Sequence, residues 1–250
     1  MNQPSITNQP LPNHWGRGRP DGLRPVLLVM HIQDGYGNPW GWFNSQGTNS
    51  PNSADCTIWN PRATNAQLYR YLRDEDTAWT NGGWSEPINH QNPVIQNLYT
   101  RQISTNDIAL TIEHEGHPGD GLTEAQFQRT AAICAYWCQK WNIPADRNHI
   151  IGHYEIGPHK YCPGDLFPFS RLVARVQELI KMPNFDPNPN KLSVGAGMLA
   201  KLQQLGQVAL TPERYTSDSS SQLVASGGFV LFANKTATGP EWEVVAVQGQ

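Results

Sequence analysis

The 250-residue sequence predicts an α/β domain followed by a small C-terminal appendage, either α+β or a β-hairpin. Three observations point there. Two continuous apolar runs, Pro25 to Ile32 and Ile108 to Ile112, read as strands buried on both faces. Two helical patterns follow, one opening at Thr123 and one at Pro168, each with an apolar stripe. The composition then changes at Met182, where Pro183-Asn184-Phe185-Asp186-Pro187-Asn188-Pro189-Asn190 reads as a semi-rigid linker. The expected organisation is an N-terminal arm (1–24), a main domain (25–182), the linker (183–190) and a small C-terminal region (191–250).

In chain order, residues 1–24 are rich in Pro, Asn and Gly and read as extended. The first apolar strand ends on a histidine, His31. Residues 33–52 hold Gly, Asn, Pro and Ser with Trp40, Trp42 and Phe43, a long loop of the kind that is often functional. Ser53 to Trp59 and Gln67 to Leu72 alternate in polarity and suit a hairpin with a wide turn at Asn60-Pro61. Val94 to Arg101 reads as a short helix after Pro93, a residue common at the first helical position. The strand at 108–112 runs into Glu113 and His114. Thr123-Glu124-Ala125-Gln126 resembles a capping box and opens a helix to about Trp141, stopped by Pro144. Ile150-Ile151 reads as a short buried strand that ends at His153. The helix from Pro168 carries Leu172, Val173, Val176, Leu179 and Ile180 on its apolar face. Beyond the linker come one helical pattern (Gly197 to Leu205), a serine-rich turn and two strand-like runs, Phe229 to Ala233 and Trp242 to Val247.

Bulk properties narrow the function. The formal net charge is -3 and the pI about 6.2, which gives no basic field for nucleic acid or an anionic membrane. No apolar run approaches the ~20 residues needed to span a bilayer. The polar start, Met1 to Pro12, lacks the charged head and apolar middle of a signal peptide, so a chain made and at first kept in the cytoplasm is expected. Nine tryptophans and eight tyrosines argue against disorder and suit either a core or a carbohydrate-facing groove. Four cysteines are too few for a disulfide framework in a chain this long. Cys56, Cys134 and Cys138 read as small buried apolar residues.

The chemistry concentrates in strand ends and one loop. His31, Glu113 and His153 each close a predicted strand, and strand ends on one sheet edge can converge. After His153 the chain breaks at Gly157-Pro158 and returns through Lys160 to Cys162. His31, His153 and Cys162 offer a zinc ion three ligands and leave the fourth position open, the catalytic rather than the structural arrangement. Glu113 is the candidate to take a proton from water and return it to a leaving amine. Lys160 lies two residues before Cys162, so on extended backbone both side chains point the same way, and its charge suits a developing oxyanion. Each residue taken singly has a plainer reading as a surface histidine, an ion-pair partner or a solvated lysine. The spacing of His153, Lys160 and Cys162 argues against all of those at once.

These residues carry a family resemblance. Residues 22–181 resemble the zinc-dependent N-acetylmuramoyl-L-alanine amidases that share a fold with peptidoglycan recognition proteins. The matching pieces are Leu28-Val29-Met30-His31, Ala78-Trp79, Asn106 through Gly116, and Ile151-Gly152-His153 through Lys160-Tyr161-Cys162-Pro163-Gly164. The resemblance implies a central mixed sheet flanked by helices, with Zn2+ on His31, His153 and Cys162 at the floor of a peptidoglycan groove. It implies hydrolysis of the amide between N-acetylmuramic acid and L-alanine in peptidoglycan or a muropeptide, with Glu113 and Lys160 catalytic and Trp79 lining the groove. Some members place a tyrosine where Ala54 stands here, which leaves Glu113 the acid–base candidate. Two departures, Asp55 for a histidine and Trp79-Thr80-Asn81-Gly82 for a Trp-His-Ala-Gly stretch, point to altered substrate contacts. Rival readings are a non-catalytic peptidoglycan-binding module, a different zinc peptidase and a structural zinc domain. Cys162 and Lys160 speak against the first. The missing His-Glu-x-x-His helix speaks against the second, and the lack of a fourth ligand against the third. The lack of a signal peptide suits a phage-type lysin acting on the cell wall or a cytoplasmic enzyme that recycles wall fragments, and the separate tail favours the lysin.

Overall fold

The computed structural model describes residues 3–11, 18–45, 52–59, 66–157 and 161–181, together with the backbone of four strands between 213 and 248. The chain divides into two compact units, residues 3–182 and 183–250.

The first unit is built on a six-stranded mixed sheet. Its strands are β1 (Thr7–Asn8), β2 (Leu27–Ile32), β3 (Cys56–Trp59), β4 (Gln67–Arg70), β5 (Ala109–His114) and β6 (Ile150–Gly152), in the order β1-β4-β3-β5-β2-β6. The inner strands β3, β5, β2 and β6 are mutually parallel, β4 runs antiparallel to β3, and β1 runs parallel to β4. Parallel neighbours need crossovers, and the helices supply them. These are α1 (Trp40–Ser45), α2 (Pro93–Thr100) and α3 (Glu124–Trp141); α4 (Phe169–Lys181) follows β6, the last strand of this sheet.

The two faces of the sheet are covered by different helices, which explains the unbroken apolar runs. Leu28, Met30, Leu110, Ile112 and Ile150 face Phe127, Cys134 and Trp137 of α3 and Leu172 and Val176 of α4. Leu27, Val29, Ala109 and Ile151 face the opposite way, against Ile95 and Leu98 of α2. Each such aliphatic side chain removed from water contributes roughly 1.5–3 kcal/mol. Thr123 and Gln126 close the α3 capping box reciprocally, and Asn92 caps α2 by accepting from the amides of Val94 and Ile95.

Several local features refine the sequence reading. The arm at 1–24 contributes the edge strand β1, and Leu11 within it is fully buried. Arg19 pins that segment to the sheet, its guanidinium donating to the carbonyls of Asp74, Asn106, Asp107 and Ala109. The loop at 33–52 contains α1, whose Phe43 packs on Tyr71. Cys56, Cys134 and Cys138 are buried and reduced, and burial pushes the Cys138 thiol up to about 12.

The second unit holds a four-stranded antiparallel sheet in the order β10-β9-β8-β7: β7 (Glu213–Thr216), β8 (Ser221–Ser226), β9 (Phe229–Lys235) and β10 (Trp242–Gln248). The two strand-like runs of the sequence pair as β9 and β10. Strand β8 is not expected from the sequence; its Gln222 to Ala225 pairs with Val230 to Ala233, while residues 217–220 of the serine-rich turn lie outside the described residues. The linker at 183–190 and the helical pattern at 197–205 lie outside the described residues. Among the described residues no helix is long and apolar enough to cross a membrane.

Candidate active site

The register of three adjacent parallel strands builds the site. His31 on β2 stands opposite Glu113 on β5, and Met30 stands opposite Gly152 on β6, one residue before His153. Strand alternation then puts His31 on the face that carries Leu27 and Val29, and Glu113 on the face of Ala109 and Thr111. The site therefore lies near the carboxyl ends of the strands, where open α/β sheets characteristically bind ligands.

Side-chain donor atoms of His31, His153 and Cys162 all lie within 4.8 Å of one another. The imidazoles are buried, with ring centroids 4.4 Å apart. Their protonation follows from their partners. His31 Nε2 is 2.9 Å from the side-chain oxygen of Asn81, and His153 Nε2 is 2.9 Å from the Asn81 backbone carbonyl. Carbonyl oxygens only accept, so Nε2 is the donor in each ring, and in the neutral imidazole Nδ1 carries the lone pair that can bind a metal. The Ile32 amide donates to Cys162 Sγ at 3.0 Å, and the sulfur lies 3.6 Å from the Ile32 carbonyl. Glu113 Oε1 lies 3.9 Å from His31 Nδ1, on the lone-pair side of the ring.

An open cavity of about 630 Å³ lies over these groups. Trp79 and Thr80 line it, as do Trp42 and Phe43 of α1, Tyr36 and Tyr161. Tyr36, Trp42 and Tyr161 are more than half exposed, at 55%, 54% and 59%. Lys160 lies outside the described residues, as do Pro158 and His159.

Two positions behave differently from their expected role in substrate contact. Asp55 is fully buried, with Oδ2 accepting from the amide (2.8 Å) and hydroxyl (3.0 Å) of Thr111. Burial raises its carboxyl to about 7, against a lowering by the Arg19 charge. Asn81 is also buried and stands behind the histidines. Its only sequence signal was the departure at Trp79-Thr80-Asn81-Gly82. His114, next to Glu113, points to the opposite face and bonds the His31 carbonyl and Thr130. Burial lowers its imidazole to about 4, so it sits neutral in the core.

Comparison with known proteins agrees with this architecture. The family profile described as N-acetylmuramoyl-L-alanine amidase matches residues 21–165. The chain is 28% identical over 183 residues to the 1,6-anhydro-N-acetylmuramyl-L-alanine amidase AmpD of Enterobacter cloacae, covering 66% of this chain and 87% of that protein. It is 30% identical over 176 residues to AmpD of Citrobacter freundii, covering 63% and 84%. The crystal structure of a selenomethionine AmpD derivative superposes with a TM-score of 0.52 at 26% identity, over 68% of this chain and 93% of that one. The N-acetylmuramoyl-L-alanine amidase LysC from Clostridium intestinale shares the fold, with a TM-score of 0.51 at 18% identity over 70% and 98%. With the profile spanning more than half of the sequence, the chain belongs to the N-acetylmuramoyl-L-alanine amidase family and is an amidase.

Proposed function

We propose that this amidase is zinc-dependent and hydrolyses the amide between the lactyl group of N-acetylmuramic acid and L-alanine. The observation that carries the reading is the convergence of His31, His153 and Cys162 donor atoms within 4.8 Å, beside Glu113 and under an open cavity. The donor set fits zinc: two imidazoles whose Nε2 atoms face Asn81 oxygens, and a cysteine sulfur beside them that receives an amide hydrogen. Zinc held there would supply Lewis acidity and an acidified water.

The chain's own residues do the rest. His31 and His153 present Nδ1 while Asn81 holds Nε2. The Glu113 carboxylate takes a proton from the attacking water and passes it to the departing alanine nitrogen, work typically worth about 10²–10⁴-fold. Lys160, placed by sequence two residues before Cys162, supplies a cation for the carbonyl oxygen as it becomes negative. Trp79, Trp42, Tyr36 and Tyr161 offer flat apolar faces to sugar and peptide along the cavity.

A second reading concerns substrate size. The curated relatives at 28–30% identity are named for a 1,6-anhydro muropeptide, which supports a soluble wall fragment as substrate. A separate C-terminal sheet supports action on the intact wall, with lysis as the result. One experiment tests both: incubate the zinc-loaded chain with purified peptidoglycan and with a soluble 1,6-anhydro muropeptide, then identify new ends by mass spectrometry. A free lactyl carboxylate paired with a new L-alanine amino terminus is expected. Cleavage at any other bond, or none in either substrate, overturns the reading.

A further inference from the structure

We infer that Asn81 is the positioning residue of the two histidines, its side chain serving His31 and its backbone serving His153. The inference rests on reading the site as a zinc centre. The two imidazole contacts are both 2.9 Å, one to Asn81 Oδ1 and one to Asn81 O, so one residue sets the tautomer and tilt of both rings. Asn81 is itself clamped. Its amide donates to Asn106 Oδ1 at 3.0 Å, and its Nδ2 reaches the Thr105 carbonyl at 3.4 Å. Thr105 O can only accept, so the amino end of the carboxamide must face it and the oxygen must face His31. With only 3% of its surface exposed, Asn81 has no solvent to replace a lost contact.

The two halves of this support are chemically separable. A backbone carbonyl is present whatever side chain stands at position 81, so the His153 contact survives substitution. The His31 contact belongs to the asparagine alone. An alanine here, as in the Trp-His-Ala-Gly stretch of the resemblance, leaves His31 Nε2–H without that acceptor. The ring then loses the contact that fixes Nε2 as its proton-bearing nitrogen. Groups that hold a ligating histidine typically matter by 10- to 100-fold in metal affinity.

The test uses the full chain with ¹⁵N-labelled histidine, metal-free, at a pH where imidazoles are neutral. Two-bond ¹H–¹⁵N correlations report which nitrogen carries the proton. Wild type should show Nε2–H at His31 and His153. Asn81→Ala should keep that signature at His153 and lose it at His31. Chelator competition should then show zinc affinity reduced about 10- to 100-fold in Asn81→Ala. Asn81→Asp retains an acceptor oxygen and should bind zinc more tightly than the alanine variant. An Nδ1–H His31 in wild type overturns the assignment, a result that needs no variant to fold. So does an Asn81→Ala chain that binds zinc as tightly as wild type. A wild-type chain that takes up no zinc sinks the zinc reading instead, and the tautomer spectra still decide the role of Asn81.

Discussion

His31 and Glu113 face each other across adjacent parallel strands, with Nδ1 of the ring 3.9 Å from Oε1 of the carboxylate. A candidate ligand atom and a candidate proton carrier thus share one side of the sheet, close enough to act on the same water. The division of labour between them is testable by substituting one at a time.

Glu113→Gln keeps the shape and removes the base. Zinc content, read by mass spectrometry of the metal, should stay near one per chain, while turnover should fall about 10²- to 10⁴-fold. Near-wild-type rates would move the acid–base role to another group.

Cys162→Ala removes the sulfur ligand. The variant should lose stoichiometric zinc and amide hydrolysis together, since two imidazoles make an incomplete set. Full activity without the thiol would rule out the proposed ligand set.

Gly164 sits at φ +95°, and a Cβ there would lie 2.0 Å from the Pro118 carbonyl oxygen. Backbone is on both sides of that clash, so the loop carrying Cys162 must shift to relieve it. Gly164→Ala should lower the unfolding free energy by at least about 2 kcal/mol and weaken zinc uptake; a denaturant melt and a metal titration check both.

Asp55 gives a pH signature. Its carboxyl titrates near 4 in the unfolded chain and at about 7 in the fold, where burial disfavours the charge. Between those values the native state binds the extra proton, so this group's contribution to stability falls as pH rises from about 4 to about 7 and is flat beyond. Asp55→Asn should remove that component, visible as a difference in the slope of chemical-denaturation free energy against pH. Identical slopes would contradict it.

Removing residues 183–250 should leave the first unit folded, because its two sheet faces are covered by its own helices. Circular dichroism and a cooperative melt of residues 1–182 check this; aggregation would show that the second unit is needed.

Much of this was legible in the sequence for identifiable reasons. Thr123 and Gln126 announce α3, and the spacing of Phe127, Cys134 and Trp137 gives its buried face. The unbroken apolar run ending near His31 marks a strand covered on both sides. Helix α1 was hidden by the Gly, Asn and Pro around it. Its helical turn is held by local contacts, such as the Trp40 amide donating to Asn38 Oδ1 at 2.9 Å, which periodicity does not reveal. The place of Asn81 was hidden for another reason. It lies 50 residues from His31 and 72 from His153, so only the closed fold brings it behind the two rings. Asp55 likewise gave no sign that it would be buried, because a carboxylate near a groove motif usually stays in water.

The alternation along β5 carries a consequence for how the sequence can change. Glu113 looks into the site and His114 into the core against Thr130, with one peptide unit between them. Adding or deleting a single residue before Glu113 within that strand would exchange the two, turning an acid into the core and an imidazole toward the cavity. Length variation among functional descendants of this chain should therefore gather in the connections, such as 33–52, while β2 and β5 keep their residue count even where their apolar side chains are exchanged.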